Sequence, residues 1–178
     1  MPFIRILIVE DYEPFRRFLR LALALKTEFK VFEVSDGLDA VQTAEELQPD
    51  VVLLDIGLPK LNGIEAARRI RRVAPNAKLL FVSLESSPDV IEETVRVGGH
   101  GYIHKSSAHA DLVPAIEAVL AGERFVRSDL EFSVGTKTRV PRDHAIKLHK
   151  SASLKPIEPP SHSSQVKVGT TPDKSRYR

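Results

Sequence analysis

The sequence predicts an α/β fold, a doubly wound sandwich built around a parallel sheet. Three observations carry that expectation. Five short β-branched, apolar segments alternate with five segments of helical apolar spacing. Three of the strand segments are apolar on successive residues, as expected where both faces of a strand are covered. Hydrophobic residues make up 42% of the 178 positions, enough to build a core.

The elements follow in order. IRILIV (4–9) is the first strand, and over 13–25 the residues Phe15, Phe18, Leu19, Ala22 and Leu25 form one apolar helical stripe. VFEV (31–34) is the second strand, followed by a helix over 37–47. VVLLD (51–55) is the third strand. In the helix over 62–74, Ile64, Ala67, Ile70 and Val73 recur every three residues, which turns Arg68, Arg69, Arg71 and Arg72 outward as a solvated face. KLLFVS (78–83) leads to a helix over 88–97, and GYIHK (101–105) to a helix over 109–121 that Gly122 closes as a C-cap.

The net charge of +2 conceals a division of the chain. Residues 1–128 hold 16 Lys+Arg and 19 Asp+Glu, a net of −3, whereas residues 129–178 hold 10 and 5, a net of +5. The second segment also carries Pro141, Pro156, Pro159, Pro160 and Pro172, and its apolar residues keep no sustained period. It reads as a mostly disordered basic tail, unable to bury enough apolar surface to offset its ordering entropy. The domains expected are therefore 1–128 and 129–178. The absence of cysteine excludes disulfides, Cys-ligated zinc, iron–sulfur clusters and a Cys nucleophile. MPFIRILIVED has no h-region of a signal peptide, and no apolar run nears the roughly 18 residues of a membrane span. A cytoplasmic protein with no membrane partner is expected.

Ligands of open parallel sheets bind beyond the carboxyl ends of the strands. Here those ends carry Glu10 and Asp11, Asp55, Ser83 and Lys105. Three clustered carboxylates repel unless a cation neutralises them, and hard oxygen donors suit Mg²⁺. A carboxylate beside Mg²⁺ and a lysine is equipped to attack phosphorus, and the lysine and a serine hydroxyl to bind phosphoryl oxygens. No GxGxxG or GxxxxGK[ST] motif accompanies them, so nucleotide binding has no support.

ILIVED (6–11), VVLLDIGLPKLNG (51–63), LLFVS (79–83) and GGHGYIHKSS (98–107) together resemble the receiver domain of bacterial two-component response regulators over roughly residues 3–125. The resemblance implies a flavodoxin-like, three-layer (βα)5 sandwich with strand order 2-1-3-4-5. It implies that Asp55 is the phosphoacceptor and Asp11 a direct Mg²⁺ ligand, with Glu10 acting through water and Gly57 through its backbone carbonyl. Lys105 would pair with the phosphoryl group, and Ser83 and Tyr102 would form the switch pair. A histidine kinase or phosphotransfer protein would supply the phosphoryl group, and a homodimer or a docked partner would carry the signal. Pro59 and Gly63 match the loop after the phosphoacceptor. Ser106-Ser107 and LAGERFVRSDL (120–130) resemble the subfamily with LuxR-type output. The helix-turn-helix of that subfamily is not found in 131–178, so DNA binding does not carry over. Leu84 stands where the family has a small residue and is expected to narrow access to the site.

Each residue also has a plainer reading. Asp55 alone would be a strand-terminal carboxylate capping a loop, and Asp11 and Lys105 on neighbouring strands tip the balance. Strand-end serines such as Ser83 often cap helices, Tyr102 suits a strand whatever its role, and the six histidines show no metal spacing. No turnover of a free substrate is expected beyond self-phosphorylation and self-dephosphorylation. A phosphatase would want an acid two residues after the nucleophile, where Gly57 stands. Two further readings stay open: a phosphorylation-independent scaffold, and a transcription regulator contacting DNA through the basic tail.

Overall fold

Runs of adjacent apolar residues need cover on both faces, and the three central strands have it. The computed structural model describes residues 3–126 except Ser86; the expected tail and the boundary at 128 lie outside them. The strands β1 (Ile4–Val9), β2 (Phe29–Val34), β3 (Val51–Leu54), β4 (Lys78–Ser83) and β5 (Gly101–His104) form one parallel sheet in the order β2-β1-β3-β4-β5. The fold class and strand order agree with the sequence reading. Successive residues of the central strands feed alternate cores. Leu7, Val9, Val52, Leu54, Leu79 and Phe81 pack with α2 (Gly37–Leu47), α3 (Gly63–Val73) and α4 (Pro88–Arg96). Ile6, Ile8, Val51, Leu53, Leu80 and Val82 pack with α1 (Glu13–Leu23) and α5 (Ala108–Leu120).

Local chemistry sets the helix ends. Asp36 caps α2 by accepting from the Leu38 and Asp39 amides, both at 2.9 Å, and Asn62 caps α3 by accepting from Glu65 at 2.9 Å. Pro88 opens α4, and Gly122, at φ +85°, follows the end of α5 as anticipated. Two readings need correction. Helix α1 stops at Leu23, and Leu25 leaves the apolar stripe to stand 85% exposed, since the chain turns there toward β2. Strand β2 starts at Phe29, two residues before the β-branched run, because pairing with Ile4 of β1 extends it. The arginines of α3 stand exposed, as the spacing implies, and on that face Arg68 pairs with Glu93 of α4 and Arg71 donates to the Val97 carbonyl at 3.3 Å. No described helix is long and apolar enough to cross a membrane.

Candidate functional site

The order of strands reverses between β1 and β3, and the side chains beyond the carboxyl ends of β1, β3 and β5 meet there. Glu10 and Asp55 are buried, with 1% and 7% of their surface exposed, and Asp11 opens to solvent. One carboxylate oxygen from each lies within 4.8 Å of the others. The Lys105 ammonium stands 2.8 Å from Glu10 Oε2 and 2.9 Å from Asp55 Oδ2. The other oxygen of Asp55, Oδ1, accepts from the Ile56 amide at 2.7 Å. Both oxygens of the strand-end aspartate are thus held.

Burial dominates the electrostatics of Glu10 and pushes its carboxyl above the ordinary range; repulsion from Asp55 adds to this, while Lys105 and the Tyr12 amide oppose it. Burial also works against the charged form of Lys105, but hydrogen bonds and attraction from Glu10 and Asp55 outweigh it and raise its pKa. Lys105 therefore stays an ammonium at any physiological pH. Three carboxylates against one lysine leave the cluster short of positive charge, and Asp11 is its exposed member.

Ser83 is buried at the end of β4, and its hydroxyl accepts from the Glu85 amide at 3.2 Å. Tyr102 is 1% exposed, with its ring packed inward and its hydroxyl donating to the Glu85 carbonyl. Burial pushes the phenol up to about 12, against a lowering hydrogen bond with Ser83. Both residues therefore converge on the same β4–α4 loop. Gly57 is exposed in the loop after β3, where an added Cβ would come within 3.8 Å of Asp55 Oδ2. Leu84 keeps 69% of its surface in solvent.

Several supporting residues escaped the sequence reading. Phe15 lies under Lys105, with the ammonium 4.9 Å from the ring centroid. Arg16 donates to the Glu10 carbonyl at 2.7 Å and the Asp11 carbonyl at 3.4 Å, clamping the loop that carries both acids. His104 Nε2 lies 3.0 Å from the Leu84 carbonyl, while its Nδ1 accepts from the Ser106 amide, which ties the β4–α4 loop to the segment carrying Lys105. The spacing places Phe15 only in an apolar stripe, and nothing in the spacing of Arg16 or His104 signals these partners.

Comparison with known proteins agrees with this geometry: the response regulator receiver domain family matches residues 6–117. The chain belongs to that family. Among the relatives of this receiver, the transcriptional regulatory protein DegU of Brevibacillus brevis is 33% identical over 124 residues, covering 69% of this chain and 52% of DegU. The response regulator UvrY of Escherichia coli K12 is 33% identical over 128 residues, covering 71% and 59%. A LuxR-family two-component response regulator from Aurantimonas sp. SI85-9A1 superposes with a TM-score of 0.69 at 33% identity, covering 74% of this chain and 94% of that one. The receiver thus spans about half to three-fifths of these curated relatives' length. Phosphorylation on aspartate is characteristic of the family.

Proposed function

We propose that this receiver takes a phosphoryl group onto Asp55 from a phosphohistidine of a histidine kinase or phosphotransfer protein, in a Mg²⁺-dependent reaction. The observation that carries the reading is Lys105 bridging Glu10 and Asp55 at 2.8 and 2.9 Å beside the exposed Asp11. A carboxylate oxygen of Asp55 attacks phosphorus in line with the P–N bond. The O–P bond forms as the P–N bond breaks, and its electron pair returns to the imidazole nitrogen. Lys105 turns from its carboxylate partners to an oxygen of the arriving group.

The donor set fits a small, hard cation, since three carboxylates from two strand ends offer oxygens within 4.8 Å of one another. Asp11 and Asp55 would ligate it directly, Gly57 through its carbonyl and Glu10 through water. When bound, such a cation neutralises charge on the transferring group. Ser83 reaches a phosphoryl oxygen, and its movement acts on Tyr102 through the loop that both hold at Glu85. The exposed Leu84 is not packed into the site as a plug, which favours this reading over a phosphorylation-independent scaffold. Such a protein works in the cytoplasm and turns over only its own aspartyl-phosphate, and its output passes to a docked partner or a second copy.

Incubation with acetyl phosphate, or with beryllofluoride, in Mg²⁺ tests the proposal. Intact mass and amide NMR should reveal an adduct and shifted loop resonances in the wild type and neither in Asp55→Asn. A wild-type chain that forms no adduct and shows no spectral change overturns it.

A further inference from the structure

Beyond α5 the chain doubles back onto the sheet. The Tyr102 amide donates to the Phe125 carbonyl at 2.8 Å, and the Phe125 amide to the His100 carbonyl at 3.1 Å. Gly101 and Phe125 form a parallel bridge, so residues 124–126 lie as a strap along the outer edge of β5. Alternation along the strap puts Phe125 against the core beneath α1 and α5. Arg124 and Val126 then fall on the opposite side, where they line a small cleft with Tyr102 and with Thr94 and Val95 of α4. That cleft holds about 10 Å³, room for about one water molecule and far too little for a phenol ring.

Tyr102 belongs to an edge strand, so its ring's way out to solvent runs past this edge, between α4 and the strap. We infer that the edge of β5 is the docking surface for residues 124–126 of this same chain, and that their docking locks the Tyr102 ring inward. Two features of the sequence make the surface fit. Gly101 leaves room for the strap and for Leu80: a Cβ there would come 2.8 Å from the Phe125 carbonyl oxygen, 3.2 Å from the Phe125 Cβ and 2.7 Å from the Leu80 Cδ1. The Tyr102 amide, otherwise an unpaired donor on a sheet edge, finds its acceptor in the strap. The coupling is reciprocal, so whatever draws the ring inward also seats the strap. The inference needs only this geometry and stands whether or not Asp55 accepts a phosphoryl group.

The chain has three tyrosines and no tryptophan, so in a Tyr12→Phe, Tyr177→Phe background Tyr102 is the sole fluorophore. Acrylamide quenching then reads the burial of its ring, and hydrogen exchange at its amide reads the strap. Two full-length variants unseat the strap from opposite sides: Phe125→Pro deletes the amide that donates to His100, and Gly101→Val intrudes on the strap backbone. The expected result is faster exchange at the Tyr102 amide together with a several-fold rise in quenching. Faster exchange with unchanged quenching overturns the inference, because the ring is then held without the strap. Unchanged exchange in both variants overturns it as well, since the edge then does not hold the strap through these bonds. If Gly101→Val fails to fold, Phe125→Pro decides alone, its substitution lying outside every helix and strand.

Discussion

Lys105 reaches carboxylates that lie 95 and 50 residues away in sequence, and its side chain is only 11% exposed. Removing one partner from such a buried arrangement strands the other charges. Lys105→Met should therefore lower stability by about 3–5 kcal/mol in urea denaturation at pH 7 and abolish the beryllofluoride adduct. Asp36 behaves differently. Its carboxyl is held down at about 2, first by the Asp39 amide and then by Lys60 at 2.7 Å. A depressed folded value means that its stabilisation is present above the unfolded value near 3.8 and is lost as pH falls toward 2. Lys60 is 58% exposed, so solvent screens its share, and the Asp39 amide carries most of the effect. Asp36→Asn keeps a good helix cap and should flatten the fall in stability between pH 4 and pH 2, measured by denaturant midpoints.

At the scale of elements, the loop after β3 is fixed by close backbone approach. A Cβ on Gly63 would stand 1.9 Å from the Asp55 carbonyl oxygen, so the first turn of α3 presses directly on the aspartate's own backbone. Gly63→Ala should lower stability by about 1–3 kcal/mol and reduce adduct formation at Asp55, both read on the same sample. Helix α5 carries Pro114 on its exposed side, where it deletes an intrahelical hydrogen bond. Pro114→Ala should raise the urea midpoint by an amount equivalent to about 1–3 kcal/mol. All five strands and five helices of the described residues were legible in sequence, because short apolar β-branched runs, the 3.6 period and cap residues are local signals. Leu25 was misread for the same reason: a helical period continues on paper past the residue where the chain turns away.

For the whole molecule, a cation held at the acidic cluster as proposed would couple ligand to stability. Mg²⁺ at about a hundred times its dissociation constant should stabilise the fold by about 2.7 kcal/mol, seen as a rise in Tm by calorimetry. Asp11→Asn should lose that rise while keeping the metal-free Tm, because Asp11 is exposed and holds no buried partner. The order of elements, the burial of β1, β3 and β4 on both faces, and the set of acids, hydroxyl and lysine at the strand ends can all be read along the chain. These are decided by neighbours a few residues apart. Folding in three dimensions makes Lys105 bridge Glu10 and Asp55 over the Phe15 ring, sets Arg16 to clamp the acidic loop, and returns Phe125 to the edge of β5. Such contacts depend on strand order and side-chain direction across distant segments, and no periodicity along one segment encodes them.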